Sequence, residues 1–182
     1  VYSLGHRNAQ GLAWASDGAL YASEFGQNTW DELNLIRPGA NYGWPEVEGI
    51  GRREGFVDPL QQWSTSSASP SGIAVVGSDL LIANLRGERL RTVPLAATAT
   101  ATEQYRESLG RLRDVVRAPD GSAWILTNNT DGRGDPRPGE AALTGLAQLR
   151  QSHLAQVPAE VVPLRGWNDA RTDLPALHSD LD

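Results

Sequence analysis

The fold is decided by residues Gly11–Gly26, whose sequence is GLAWASDGALYASEFG. Two short apolar runs flank the dipeptide Asp17-Gly18, and a polar exit follows the second run. Asp-Gly between alternating apolar runs is a strong signal for a β-hairpin, since both residues tolerate positive φ. We therefore predict two antiparallel strands joined by a tight turn.

The same pattern occurs twice more along the chain. GIAVVGSDLLIANLRG spans Gly72–Gly87, and DVVRAPDGSAWILTNN spans Asp114–Asn129. Further short strand candidates lie between the hairpins, at Glu32–Ile36, Leu90–Pro94 and Gln104–Arg106. Four-stranded units at this spacing are typical of β-propeller blades, and a plain antiparallel meander is the alternative. The pattern predicts an all-β chain holding about three to four blades, at roughly 40–50 residues per blade.

The number of blades and the first residue both suggest a partial chain. Closed propellers usually have more blades, and an open one leaves edge strands that invite aggregation. The sequence opens at Val1 and contains no Met. We therefore expect a processed, trimmed or partial chain that corresponds to the later part of a longer protein.

Composition excludes several classes of function. The 182 residues carry a formal net charge of -6, which gives no reason to expect nucleic-acid binding. There is no Cys, so disulfides, thiol catalysis and Cys-based zinc sites are excluded. No apolar run approaches the roughly 20 residues of a membrane span. All 16 basic residues are Arg, so every fixed cation is a planar guanidinium suited to binding carboxylates.

The character of the sequence changes after Gly139. We predict a partial propeller over residues 1–139 and a divergent tail over residues 140–182. The segment Glu140–Ala155, EAALTGLAQLRQSHLA, has apolar residues at helical spacing, and several prolines follow it. This pattern predicts a short amphipathic helix followed by irregular coil.

Arginines recur at or near the ends of the repeated units. Arg7 precedes the first hairpin, Arg86 closes the second, and Arg111 and Arg113 enter the third. Equivalent positions on successive blades converge on a propeller axis, where unpaired guanidinium groups are costly unless a polyanionic ligand neutralises them. For each single Arg a solvated surface position is the alternative, and for the set both interpretations stay open.

A second candidate group is the segment Gly26–Glu32, GQNTWDE. A Gly-containing loop with free carbonyls and two carboxylates offers the hard oxygen ligands that Ca²⁺ prefers. The spacing of an EF-hand is absent, and a solvated acidic turn is the alternative. His6 lies beside Arg7, where a neighbouring cation disfavours a second charge. We expect His6 to be a structural residue that donates to a carbonyl rather than a general base.

Four longer segments stand in one order along the chain: GHRNAQGLAW, DELNLIRPGANYGWP, ANLRGERL and RLRDVVRAPDG. Together they resemble the soluble sugar dehydrogenases that depend on pyrroloquinoline quinone (PQQ), which form the glucose/sorbosone dehydrogenase family. The resemblance is closest to the aldose sugar dehydrogenase branch and extends from Val1 to Gly139. It implies a six-bladed β-propeller that oxidises an aldose to a lactone by hydride transfer to PQQ, with Ca²⁺ holding the quinone.

The resemblance also implies particular site residues. The implied cofactor-binding residues are Arg7, Asn8, Arg86, Arg111 and Arg113. The implied Ca²⁺ ligands are the carbonyls of Gly26 and Gln27 at the active-site ion, and Glu32 and Tyr42 at a second, structural ion. The three carboxylates of PQQ suit bidentate guanidinium groups, which would account for the arginine set. A small-molecule sugar as partner and a periplasmic or secreted location are implied in the same way.

The chain departs from the family pattern in ways that affect catalysis. Phe25 stands where His or Gln is usual, and Gln27 stands where Pro is usual. The catalytic His and its acidic partner belong to the earlier half of the family fold, and His6 does not align with that base. We therefore assign no catalytic residue and expect this chain alone to be inactive. The alternatives are a non-catalytic propeller module that binds a protein or glycan, and a Ca²⁺-dependent hydrolase such as a lactonase.

Overall fold

The computed structural model describes residues 1–136 together with two strands at 146–149 and 160–162. All regular secondary structure in these residues is β-strand, and the strands form three four-stranded sheets. This confirms the predicted all-β class and agrees with the expected number of blades. Over the same residues, no helix is long and apolar enough to cross a membrane.

Each sheet is an antiparallel meander in which consecutive strands are neighbours. The orders are β1-β2-β3-β4, β5-β6-β7-β8 and β9-β10-β11-β12. The strands are β1 (Ala9–Trp14), β2 (Leu20–Glu24), β3 (Trp30–Ile36), β4 (Gln61–Ser64), β5 (Pro70–Val76), β6 (Asp79–Asn84), β7 (Arg89–Pro94), β8 (Thr102–Gln104), β9 (Leu112–Arg117), β10 (Ala123–Thr127), β11 (Leu146–Leu149) and β12 (Glu160–Val162). The three predicted hairpins are therefore β1–β2, β5–β6 and β9–β10.

The hairpin turns form for the predicted reason. Asp17 Oδ1 accepts the amide of Ala19 at 3.0 Å, and Gly18 takes a φ of 87° that a side chain would disfavour. Gly121 has a φ of 83° at the equivalent turn of the third repeat. The local turn chemistry thus sets the hairpins without help from distant residues.

The middle sheet is buried on both of its faces. Leu80 and Ile82 of β6 pack against the first sheet, and Leu81 and Ala83 pack against the third. All four side chains have 0% exposure. A strand covered on both faces has no solvent side, which explains the continuous apolar run LLIA in place of an alternating pattern.

The first strands of the three sheets pack side by side, like the innermost strands of propeller blades. A Cβ atom at Gly11 would lie 2.7 Å from the carbonyl oxygen of Ser71, and one at Gly72 would lie 2.8 Å from the Cα atom of Asp114. Glycine is required where two backbones approach this closely. Because these contacts join early positions of β1, β5 and β9, the three strands begin at the same end of the molecule.

The predicted tail contains an unexpected part of the third sheet. Leu146–Leu149 form β11 and pair with β10, so the predicted helix is wrong at these four residues. Helical spacing in a short apolar run does not exclude a strand, and β10 has an edge whose N–H and C=O groups need partners. The predicted coil is likewise wrong at Glu160–Val162, which form β12 and pair with β11. The other residues of the predicted helix and coil lie outside the described residues. The division of the chain at Gly139 stays a prediction.

Candidate cofactor site

Most of the predicted cofactor residues lie where the innermost strands begin. Arg7 and Asn8 directly precede β1, Arg111 directly precedes β9, and Arg113 is the second residue of β9. The loop from β2 to β3 lies at this same end, since Glu24 at the end of β2 pairs with the start of β1. The topology therefore places the predicted cofactor residues and the predicted Ca²⁺ loop at one end of the sheets.

Arg7 connects these two groups directly. Its Nε donates to Gln27 Oε1 at 2.7 Å, and its Nη1 donates to the carbonyl oxygen of Phe25 at 3.1 Å. The guanidinium also lies 5.7 Å from the centre of the Trp44 ring. Arg7 thereby holds the β2–β3 loop against the start of β1.

Arg111 is buried with part of its hydrogen-bonding capacity unused. Only 8% of the residue is exposed, and its backbone N–H donates to Asn129 Oδ1 at 2.7 Å. Its Nη2 lies 3.6 Å from a carboxylate oxygen of Asp131, while its buried Nε has no hydrogen-bond partner among the residues that the structure describes. An unsatisfied buried donor on a cation is costly, so this group fits an anionic ligand that would complete its bonding.

The other two arginines of the set are held less firmly. Arg113 is partly buried, and its Nη1 lies 3.5 Å from Ser71 Oγ, at the limit of hydrogen bonding. Arg86 is exposed on the turn between β6 and β7, at the same end of the molecule. Within the described residues, no hydrogen bond or ion pair joins Arg86 to the rest of the predicted cofactor set.

Glu32 and Tyr42, the predicted ligands of a structural Ca²⁺, line one small cavity together with Glu24 and Glu48. Its volume is about 10 Å³, close to the space that one water molecule needs. Burial raises the pKa of Glu32, although bonds from Asn34 and the Gly49 amide oppose this, and the nearby charges of Glu24 and Glu48 raise it further. A cation would relieve this concentration of negative charge.

The hydroxyl of Tyr42 is already engaged. It donates to the carbonyl oxygen of Leu35 and accepts the amide of Arg37 at 2.9 Å. A metal contact from Tyr42 would therefore use its backbone carbonyl. Over the part of the chain that the structure describes, no three His, Asp or Glu side chains are arranged as a metal site. Calcium binding here would thus depend on backbone carbonyls, with Glu32 as an additional ligand, and this oxygen chemistry suits Ca²⁺.

His6 is held on both ring nitrogens. Nδ1 lies 3.0 Å from Glu24 Oε2, Nε2 lies 2.8 Å from Ser3 Oγ, and the ring stacks on Tyr42 with centroids 4.7 Å apart. The other oxygen of Glu24 accepts the amides of the next two residues, Arg7 and Asn8. The partner of His6 is thus a carboxylate rather than the expected carbonyl, and its structural role stays a prediction.

Sequence reasoning missed the side chains that hold the arginine-bearing backbone. Glu24 and Asn129 are both buried, and they accept the amides of Arg7 and Arg111 respectively. The polar exits of the first and third repeats were a signal that could have identified them. Glu48 had no such signal, because nothing local in its segment indicates what its side chain contacts.

The fold and the site together define a group of propeller blades with an arginine-rich, calcium-compatible end. The sequence model of the family described as Glucose / Sorbosone dehydrogenase matches residues 1–136, and the chain belongs to this family. The structure is similar to that of the PQQ-bound aldose sugar dehydrogenase from Streptomyces coelicolor, with a TM-score of 0.75 and 54% identity. That match covers 82% of this chain and 45% of the other.

Two curated relatives show the same relationship. Aldose sugar dehydrogenase YliI from Escherichia coli is 30% identical over 159 residues, which are 72% of this chain and 42% of the relative. Quinoprotein glucose dehydrogenase B from Acinetobacter calcoaceticus is 54% identical over 57 residues, which are 31% of this chain and 12% of the relative. The predicted family is confirmed, and the chain spans less than half the length of these relatives.

Proposed function

We propose that this chain forms the PQQ- and Ca²⁺-binding portion of a PQQ-dependent aldose sugar dehydrogenase that oxidises sugars to lactones. The observation that carries the proposal is the buried Nε of Arg111, which has no hydrogen-bond partner in the described part of the chain. It lies at the end of the sheets where the other predicted cofactor residues are found. A cofactor with three carboxylates would supply the missing acceptors.

The arginine set would bind the cofactor from several strands. Arg111 and Arg113 would contact carboxylates from the start of β9, and Arg86 would add a charge from the β6–β7 turn. Arg7 and Asn8 would contact the quinone and the substrate from the start of β1. Because Arg7 already bonds the β2–β3 loop, its guanidinium is oriented before any ligand arrives, which lowers the entropy lost on binding.

The carbonyls of Gly26 and Gln27 would hold the active-site Ca²⁺, and Glu32 with the carbonyl of Tyr42 would hold the structural ion. PQQ, when bound, supplies the acceptor for the hydride that leaves C1 of the sugar. The proton of the C1 hydroxyl needs a base, and we assign none in this chain because the family resemblance places that base in the earlier half of the fold, where His6 does not align. We therefore propose that the chain alone binds cofactor without turning over sugar.

We further propose an aldose as the small-molecule partner and a periplasmic or secreted location for the protein. Both follow from family membership. The finding that no helix of the described residues could cross a membrane is compatible with this location.

The test is a titration of the purified chain with PQQ, in CaCl₂ and in a calcium chelator, followed by absorbance. We expect saturable binding that requires Ca²⁺, and no aldose oxidation with an artificial electron acceptor. Absence of any PQQ binding would favour the non-catalytic module that binds a protein or glycan. Robust turnover of sugar would contradict the proposed lack of a base.

A further inference from the structure

The amide groups of the β2–β3 loop converge on one carboxylate oxygen. Glu48 Oε1 accepts the N–H groups of Asn28 at 3.1 Å, Thr29 at 3.0 Å and Trp30 at 3.1 Å. Glu48 lies in a different segment, whose next residue, Gly49, donates its amide to Glu32 at 2.7 Å. The segment carrying Glu48 is therefore fixed to β3 independently of the loop that it holds.

Hydrogen bonding to an amide also orients the preceding carbonyl. In a planar trans peptide, the N–H of one residue and the C=O of the residue before it point in opposite directions. Because the N–H of Asn28 is directed at Glu48, the carbonyl of Gln27 points away from Glu48. The same relation holds two residues earlier, where the N–H of Gly26 bonds Asp31 Oδ1 at 2.9 Å and the carbonyl of Phe25 accepts a bond from Arg7.

The electrostatics of Glu48 agree with these bonds. Burial by itself would raise the pKa of Glu48, but bonds from the amides of Thr29, Trp30 and Asn28 hold that pKa below its ordinary value. The carbonyl of Gln27, one of the two proposed as ligands of the active-site Ca²⁺, therefore has its orientation set by one side chain.

The loop is packed too tightly around Glu48 to adopt another conformation easily. A Cβ atom at Gly26 would lie 1.8 Å from the carbonyl oxygen of Trp30 and 2.6 Å from Glu48 Oε1. Only glycine fits at this position, because any side chain would displace the backbone or the carboxylate. The carbonyl orientation is thus a property of the folded chain before an ion binds.

We propose that Glu48 is a positioning residue for the active-site Ca²⁺, holding the β2–β3 loop so that the carbonyl of Gln27 would face the ion. This inference rests on the proposed function. Because Glu48 Oε1 accepts three loop amides, Glu48 would act through the loop rather than as a ligand at that carbonyl. Residues that orient metal ligands in this way affect metal affinity by about 10- to 100-fold.

The experiment compares three variants of the full chain by calorimetric titration with CaCl₂. Glu48→Ala removes the acceptor, whereas Glu48→Gln removes the charge and keeps an acceptor oxygen. Glu46→Ala is the matched control, since Glu46 is exposed, lies two residues away and pairs only with exposed Arg53. We expect Glu48→Ala to weaken Ca²⁺ binding about 10- to 100-fold, Glu48→Gln to weaken it less, and Glu46→Ala to leave it unchanged.

Hydrogen exchange of the amides of residues 28–30, measured without Ca²⁺, provides a second readout. We expect exchange at these amides to accelerate in Glu48→Ala and to stay slow in Glu46→Ala. Wild-type Ca²⁺ affinity in Glu48→Ala would overturn the inference alone, as would equal losses in Glu48→Ala and Glu48→Gln, which would indicate a pure charge effect. A wild-type chain that binds no Ca²⁺ would overturn the proposed function together with this inference.

Discussion

Arg91 and Arg111 are both buried arginines, with 2% and 8% of each residue exposed, yet their surroundings differ. Arg91 in the middle of β7 donates to Asn84 and, at 3.1 Å, to Glu103, and its guanidinium lies 4.7 Å from the centre of the Trp63 ring. Among the described residues, the side chain of Arg111 has the more distant carboxylate of Asp131, and its Nε has no partner.

The difference separates an arginine that stabilises the fold from one that is available to a ligand. Burial lowers the pKa of Arg91 to about 10, against the opposing effect of Glu103. This cation is kept in the interior by partners that the chain itself supplies. A comparable cation without such partners, as at Arg111, is retained at a cost in stability, which is the behaviour expected of a functional residue.

The largest expected difference between Arg91 and Arg111 is in protein stability when each charge is removed with a side chain of similar length. Breaking a buried ion pair costs about 3–5 kcal/mol. Glu103 keeps a second bond, from Arg89 at 2.9 Å, and is 31% exposed, so for Arg91→Met we expect a smaller loss of about 2–3 kcal/mol. Urea unfolding measures this loss, and the same experiment on Arg111→Met should show a change within about 1 kcal/mol. Equal losses would show that Arg111 is also structural.

The second prediction concerns PQQ affinity in the same two variants. Loss of a hydrogen bond to a charged group costs about 1.5–3 kcal/mol. For Arg111→Met we therefore expect PQQ binding to weaken about 10- to 100-fold, measured by absorbance titration in CaCl₂. Under conditions in which Arg91→Met is still folded, it should bind PQQ with the affinity of the wild type. An unchanged affinity in Arg111→Met would remove the main support for the proposed cofactor site.

The third prediction uses pH to test the pairing of Arg91. Burial by itself would raise the pKa of Glu103, but the hydrogen bond from Arg89 and the charge of Arg91 hold this pKa below its ordinary value of 4.5. A carboxyl group whose pKa is lowered on folding stabilises the protein above its unfolded pKa, and this stabilisation is lost as the pH falls through the folded pKa.

Glu103→Gln should therefore reduce the free energy of unfolding at pH 7 by about 1 kcal/mol, a modest value because solvent screens this partly exposed group. The difference from wild type should disappear on acidification below the folded pKa. Glu46→Gln, in an exposed pair with Arg53, is the control and should show little change at either pH. A difference between Glu103→Gln and wild type that persists in acid would exclude the ion pair as its origin.

The smallest expected effect is at Arg86. Because Arg86 is exposed, Arg86→Ala should change stability by less than about 0.5 kcal/mol and PQQ affinity by less than about threefold. The same two titrations measure both quantities. A loss of PQQ affinity as large as that of Arg111→Met would show that exposure does not separate the two arginines, and Arg86 would then be a principal cofactor ligand.

Much of the first two sheets could be predicted from local pattern. The strand candidates Glu32–Ile36 and Leu90–Pro94 lie within β3 and β7, and Gln104–Arg106 overlaps β8 at one residue. The displacement of that strand has a local cause, since Tyr105 takes a φ of 55° that ends the extended backbone. β4 was missed because its sequence, QQWS, has no apolar alternation.

The candidate site could be predicted only in part. The arginines were predicted because their positions recur beside the repeats, which is visible in the sequence, whereas Asn8 came from the family resemblance alone. Glu48 was missed because its role comes from contacts with residues 18–20 positions away. The strand at Leu146–Leu149 was missed for the same kind of reason, since it depends on pairing with β10.

Local sequence is enough to predict the hairpins, the all-β class and the use of Arg for every fixed cation, because turn residues and side-chain alternation act over a few neighbouring positions. Which arginine is satisfied among the described residues emerges only on folding. Folding also brings the amides of residues 28–30 onto one carboxylate. The physical reason is that the cost of burying a charge and the direction of a carbonyl depend on partners that only folding brings near.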